Sequence, residues 1–281
     1  MLGTLYLVAT PIGNLQDTSA RAVDTLRGVD LIACEDTRHT RKLLNHFDIS
    51  TKLVSYHEHN EASRAETLIA LLIEGKSVAV VSDAGTPGIN DPGYVVAQKA
   101  IEQGISVVPI PGPVAFVNAL IVSGLPTDSF FFGGFLPAKK GERVKRLTEL
   151  ATTPGTLIFY EAPHRLAASL ADCAQTLGNR QAAVVRELTK IHEEIVRGTL
   201  PSLAEQFSAA KTRGEIVLVI DRNRDTLSGP TGKQTLIERL DELERSGLDR
   251  KAALKTVARE FGLSKPEAYR LIQAEKKSLK Y

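Results

Sequence analysis

Cysteine is scarce: the 281 residues contain two, Cys34 and Cys173. Neither belongs to a CxxC pair, and no Cys/His group has zinc spacing. The sequence therefore predicts neither a disulfide-stapled scaffold nor a structural metal, and a reducing, cytoplasmic compartment is expected. Long apolar runs are missing as well. The longest, Ile105 to Val122, is interrupted by Pro109, Pro111, Gly112 and Pro113, which argues against a membrane helix there. The first residues, Met1-Leu2-Gly3-Thr4, lack the basic-then-apolar pattern of a secretory signal, so none is expected. Net charge is only +2, too little by itself to announce a nucleic-acid binder. Neither a GxGxxG fingerprint nor a Walker A loop occurs, and there is no internal repeat or low-complexity stretch.

What is present is an ordinary globular composition, 43% hydrophobic and 24% charged, long enough for one large or two medium α/β domains. Charge is unevenly placed. From Pro230 onward there are 12 Lys/Arg against 8 Asp/Glu, which leaves the first 229 residues with 23 against 25. A near-neutral body with a basic tail hints at a polyanionic partner.

Short apolar, β-branched runs predict strands at Leu5–Val8, Asp30–Cys34, Leu53–Tyr56, Ser77–Val81 and Ser106–Ile110. Helical patterns predict a helix over Asp17–Leu26, capped by Asp17 or Thr18, and another over Glu61–Glu74 with Ala65, Leu68, Ile69 and Leu72 on one face. This alternation predicts an open parallel sheet. Leu125-Pro126-Thr127-Asp128 reads as a hinge into a second α/β lobe. There, strands are expected at Phe130–Phe135, Thr156–Tyr160, Ala182–Arg186, Glu194–Arg197 and Ile216–Ile220, with some antiparallel pairing, and helices at Arg143–Leu150 and Arg165–Leu177. Polar Asn223–Lys233 reads as a linker. Beyond it, Thr235–Glu244 sets Leu236, Leu240 and Leu243 on one helical face. Asp249 caps a second helix with Ala253, Val257 and Phe261 inward and Gly262 as its stop. Ser264-Lys265-Pro266-Glu267 reads as a capping box for a third. This small C-terminal helical extension has a helix-turn-helix pattern and equally reads as a docking bundle. The expected domains are 1–124, 125–222 and 223–281.

Four loops follow predicted strands, where open parallel sheets bind ligands. Ala9-Thr10-Pro11-Ile12-Gly13-Asn14-Leu15 is on its own an unremarkable turn. Ser82-Asp83-Ala84-Gly85-Thr86-Pro87-Gly88-Ile89-Asn90-Asp91-Pro92-Gly93 is more informative. Its three glycines and two prolines make a rigid loop with few side chains, which offers backbone polar groups to a ligand, and Asp91-Pro92 opens a helix. Pro109-Ile110-Pro111-Gly112-Pro113-Val114-Ala115 leads into a helix; one X–Pro bond is a candidate for cis, and Gly112 and Ala115 leave room for a flat ring. Phe159-Tyr160-Glu161-Ala162-Pro163-His164-Arg165 gathers three charged or titratable side chains at a strand end, and Arg186 to Glu194 adds a charge run.

Taken together, ATPIGNLQD, CEDTR, SDAGTPGINDPG, PIPGP, FYEAPHR, RELTKIHEE and GEIVLVI resemble the tetrapyrrole methylase superfamily over about residues 4 to 221. Within it they are similar to the branch that 2′-O-methylates a cytidine in the decoding region of 16S ribosomal RNA. The resemblance implies two α/β lobes with a cofactor cleft between them, S-adenosylmethionine as cofactor, a homodimer, and small-subunit RNA or the assembled subunit as partner, with no membrane. By matching motif it places the cofactor against Pro11, Ile12, Asp83, Gly85, Thr86, Ile89, Val114, Ala115, Ala162, Leu188 and Ile216. Val114 stands where relatives often carry a small polar residue. A ribose hydroxyl is a weak acid, so a general base is expected among Glu161, His164, Glu187 and His192. Arg38, His57, Arg165, Arg186 and Lys190 are candidate RNA contacts. No metal site is expected. Two other readings stay open: methylation of a tetrapyrrole or corrin precursor, and a helix-turn-helix DNA-binding regulator.

Overall fold

The computed structural model describes residues 1–209, 211–223 and 235–278, the last five by backbone alone; most of the expected linker lies outside the described residues. The chain divides into two compact units, one of Met1–Ala119 with Arg186–Glu194 and one of Leu120–Val185 with Ile195–Tyr281.

The first unit is a parallel sheet covered by helices. Its strands are β1 (Thr4–Val8), β2 (Leu31–Cys34), β3 (Leu53–Ser55), β4 (Val78–Val81) and β5 (Ser106–Ile110), in the order β3-β2-β4-β1-β5, with every adjacent pair parallel. The helices are α1 (Ala20–Gly28), α2 (Thr37–His46), α3 (Glu61–Ile73), α4 (Tyr94–Glu102) and the start of α5 (Ala115–Ser123). Because residues alternate across a strand, Val78 and Val80 join one core with Leu68 and Leu72 of α3. Ala79 and Val81 face the other core, with Val23 and Leu26 of α1 and Leu44 of α2. Burial on both faces explains the unbroken apolar run of β4. Pro109 is tolerated because β5 is an edge strand.

Three local expectations are corrected. Neither Asp17 nor Thr18 caps α1: a tight helical turn occupies Leu15–Asp17, and Ser19 caps the helix through a 3.1 Å bond from the Ala22 N–H. The helix after Asp91-Pro92 starts only at Tyr94, because Gly93 has φ +144°, outside the helical range. All peptide bonds among the described residues are trans.

The second unit carries a mixed sheet, β6-β7-β10-β8-β9, formed by Phe130–Phe135, Thr156–Glu161, Ile216–Ile220, Gln181–Arg186 and Glu194–Thr199. Strand β7 pairs in parallel with β6 and antiparallel with β10. Helices α6 (Lys140–Leu150), α7 (Leu166–Leu177) and α8 (Leu200–Ser208) pack against it. The three C-terminal helices, α9 (Leu236–Arg245), α10 (Arg250–Glu260) and α11 (Lys265–Ser278), have a core of their own from Leu236, Leu240, Ala253, Val257, Phe261 and Ile272. Asp249 caps α10, and Gly262 at φ +64° ends its last turn, as read. The expected capping box of α11 is not closed by Glu267. Its carboxylate lies 3.5 Å from Arg222, a buried residue just past β10 that also pairs with Asp128.

Candidate active site

In the first unit, loops from four strands meet at the carboxyl end of the sheet, and hydrogen bonds fasten them to one another. Thr10 and Gly85 form an antiparallel bridge, Thr10 N to Gly85 O at 2.8 Å and Gly85 N to Thr10 O at 3.0 Å. The buried Thr10 hydroxyl donates to Ser82 O at 3.1 Å. The loop after β4 is tied to the loop after β5 by the Thr86 hydroxyl, which donates to Pro113 O at 3.3 Å. It is tied to the end of β2 by the Asp36 N–H, which donates to Asp83 Oδ1 at 3.0 Å. Its far end is held by Glu61 Oε1, which accepts from Gly93 N at 3.1 Å and from the buried Tyr56 hydroxyl at 2.8 Å. These loops are thus one cross-braced platform.

The glycines serve this bracing in different ways. Gly85, Gly88 and Gly93 have φ of +83°, +83° and +144°, which only glycine adopts without strain. A Cβ on Gly112 would lie 2.8 Å from Ala9 Cβ, so that residue is small in order to pack the loop against the end of β1. Gly13 admits a segment from far along the chain: a Cβ there would lie 2.5 Å from Lys190 Cγ, 2.8 Å from Thr189 Oγ1 and 3.1 Å from Leu188 O. The run Arg186–Glu194 is therefore a strap laid on the first loop. Its backbone is strained, with φ +53° at Glu187 and +65° at Thr189, and left-handed non-glycine residues of this kind concentrate at functional sites.

Carboxylates crowd the same sheet end. Burial, and next the neighbouring Glu35 and Asp83, push Asp91 up to about 6. Burial and then Asp83 also raise Glu35, while His57 acts in the opposite direction. Asp36 is different: Arg38 bonds it through two guanidinium nitrogens and holds it at about 2.

Of the sequence-derived cofactor candidates, Pro11, Ile12, Asp83, Gly85, Thr86, Ile89, Val114, Ala115 and Leu188 all fall in this unit. Ile12 is buried and Ile89 exposed. Ala162 and Ile216 lie in the second unit, where Ile216 pairs in register with Glu161, beside Ala162, and is buried in the core. The four base candidates part company. Glu161 is buried and saturated: it accepts from its own neighbour Ala162 N at 2.8 Å and from the Ser169 hydroxyl, and pairs with Arg165 at 3.1 Å. His164 is exposed in the second unit. Glu187, 2.9 Å from Lys190, and exposed His192 lie on the strap. Among the RNA candidates, Arg165 also donates to Leu136 O, and Arg186 pairs with Glu194 at 2.6 Å. Arg38 is exposed, and His57 lies on the turn after β3. Sequence reasoning gave no role to Glu35 and Asp36, and read Gly13 only within an otherwise unremarkable turn. The two acids are legible as paired carboxylates at a parallel strand end; the role of Gly13 depends on a contact that no local pattern encodes.

In open parallel sheets, ligands bind at the carboxyl ends of the strands, where this platform lies. Comparison with known proteins gives the class: the family model described as Tetrapyrrole (Corrin/Porphyrin) Methylases matches residues 4–204, and the chain belongs to this family. The relatives are more particular. Ribosomal RNA small subunit methyltransferase I of Halalkalibacterium halodurans is 49% identical over 276 residues, covering 97% of this chain and 96% of its own. The protein of the same name from Synechocystis is 48% identical, covering 96% and 97%. Among solved structures, uroporphyrin-III C-methyltransferase from Thermus thermophilus, complexed with S-adenyl homocysteine, shares the fold at a TM-score of 0.55 and 19% identity, covering 78% of this chain and 97% of that one.

Proposed function

We propose that the chain transfers a methyl group from S-adenosylmethionine to the ribose 2′-hydroxyl of a cytidine in the decoding region of 16S ribosomal RNA. The observation that carries the reading is the braced platform of the first unit with its crowded carboxylates, set beside relatives named for small-subunit ribosomal RNA methylation. A cofactor bearing a sulfonium and an ammonium suits that platform: carboxylates that repel one another gain from an added cation. Backbone groups of Gly85 and Thr86, the apolar side chains of Ile12, Ile89 and Val114, and Pro11, Asp83, Ala115 and Leu188 would hold it. When bound, the cofactor supplies the electrophilic methyl carbon.

The protein's part is alignment and proton removal. Orienting two bound reactants lowers the barrier by roughly 7–11 kcal/mol. We assign the proton to Glu187, because it sits on the strained strap and its carboxylate, unlike that of Glu161, is not sealed in the core. Lys190 Nζ donates to Glu187 Oε1 at 2.9 Å and so orients it. His192 and His164 are then not the base, and Arg38, His57, Arg165, Arg186 and Lys190 are the proposed contacts to RNA phosphate or bases. The enzyme acts in the cytoplasm as a homodimer. Among the described residues no helix is long and apolar enough to cross a membrane.

The test is methyl transfer from labelled cofactor to free 16S RNA and to assembled small subunits, with the product nucleotide located by mass spectrometry. Glu187→Gln is expected to lower kcat by about 10²–10⁴-fold with cofactor affinity unchanged. Wild-type kcat in that variant removes Glu187 from the role, and a label found on a base rather than a ribose removes the reaction.

A further inference from the structure

The C-terminal helices form a small, half-open cavity of about 250 Å³. Leu240 of α9, Leu254 of α10 and Ile272 of α11 give it an apolar floor, while Arg250, Lys251, Lys265 and Tyr269 complete its lining. Lys265, Tyr269 and Ile272 recur at four- and three-residue spacing, so one face of α11 supplies a cation, a ring and a floor residue in sequence. Tyr269 is 52% exposed, although nearby positions of the same helix, Ala268 and Ile272, are buried. No carboxylate is among the described lining residues. Of the nearby acids, Asp249 is engaged by the N–H groups of Lys251 and Ala252, and Glu244 pairs with Arg250 at 3.3 Å.

Size and charge together narrow the occupant. The cavity is below the roughly 300–1,000 Å³ of sites for drug-sized ligands, so it suits one planar ring system rather than a whole cofactor. A ring that enters beside an exposed tyrosine, under three cations, is best matched by a nucleobase whose flanking phosphates meet those cations. Bases of a duplex are stacked and cannot enter, whereas single-stranded RNA presents splayed ones. We propose that this cavity docks one unstacked nucleotide of a single-stranded RNA segment, with Tyr269 stacking on the base and Arg250, Lys251 and Lys265 holding the backbone. The proposal rests on the reading of the chain as an RNA methyltransferase and gives the helical extension the task of substrate binding, separate from methyl transfer.

The experiment compares the full-length protein with Tyr269→Ala, Tyr269→Phe and the double variant Lys251→Glu/Lys265→Glu. KM for small-subunit substrate is expected to rise roughly 5- to 100-fold in the Ala variant. The Phe variant should stay near wild type, with kcat and cofactor affinity unchanged throughout. Binding of a single-stranded oligoribonucleotide should lose salt dependence in the double variant, by a log–log slope of about 0.7 per charge removed. Wild-type KM and an unchanged salt slope in these variants would overturn the proposal, as would an acidic peptide that binds the cavity while RNA binding is unaffected. If the wild-type enzyme methylates no ribosomal RNA, the underlying reading fails. Oligoribonucleotide binding then judges the cavity alone: loss in the variants upholds it, and no loss refutes it.

Discussion

In the second unit, Arg143, Glu161, Asp172, Arg180, Asp221 and Arg222 are all buried. Arg143 makes two bonds to Asp172, at 2.8 and 2.5 Å, with both side chains about 5% exposed. Glu161 is closed in by Ser169 and Arg165, and Arg180 donates to the backbone carbonyls of Asp221 and Ala151. The first unit has no charged residue in its buried set; its buried polar groups are Thr10, Thr40 and Ser82. Its carboxylates stand half-covered at the strand ends and repel one another. Charges of the second unit are thus compensated framework. Those of the first are held at an electrostatic cost, from burial and from one another.

The contrast is broken most directly by a pair of variants. Asp172→Ala leaves Arg143 buried and unpaired, so urea unfolding should show a loss of about 3–5 kcal/mol. Asp83→Asn keeps an acceptor for the Asp36 N–H, so stability should hold within about 0.5 kcal/mol. Calorimetry should show cofactor affinity down by about tenfold or more, the scale of one lost charged hydrogen bond. An Asp172 variant as stable as wild type, or an Asp83 variant with full affinity, would erase the distinction between scaffold and site.

The next effect in size concerns the strap. Gly13→Val puts a branched side chain where Lys190 and Thr189 now sit, and overpacking of that kind costs about 1–3 kcal/mol. Because the strap must move, kcat should fall further than cofactor affinity. Gly85→Ala meets only ordinary contacts, with Ile12 Cγ2 at 3.5 Å, and should pay the left-handed penalty of about 1–2 kcal/mol. If Gly13→Val left kcat untouched, the strap would be packing and nothing more.

The smallest effect sharpens the comparison through pH. The folded-state value for Asp91, about 6, lies above its ordinary 3.8, so between those values the folded state holds the extra proton. Stability is therefore lost as pH rises through that window. Asp91→Asn removes the cost, so thermal unfolding should show a gain above pH 6 that vanishes below 3.8. An equal gain at both ends would mean that the carboxylate is not strained by its neighbours.

How much of this the sequence disclosed follows from the range of the interactions. Strands such as Val78–Val81 were legible because burial on both faces leaves only apolar side chains. Helix α2, TRHTRKLLNH, escaped notice because it buries only Thr40, Leu43 and Leu44, and α8 because Thr199 closes its box with Ser202 instead of an acid. Loop composition flagged the Ser82–Gly93 segment as special. It did not reveal the Thr10–Gly85 bridge, the Glu61 pin or the strap on Gly13, each a contact between residues distant in the chain. Glu161 read as chemistry since acids at strand ends often are; its burial beside Ser169 and Arg165 was not legible.

The strap also sets a clock on biosynthesis. The five parallel strands are complete by Ile110, but the residues that finish their platform arrive only at Arg186–Glu194. At about 5–20 residues per second, a ribosome needs several more seconds to deliver them. During that interval the nascent amino-terminal unit has its sheet but not its strap, and less than half of the second unit, Leu120–Val185, has been made by the time the strap follows.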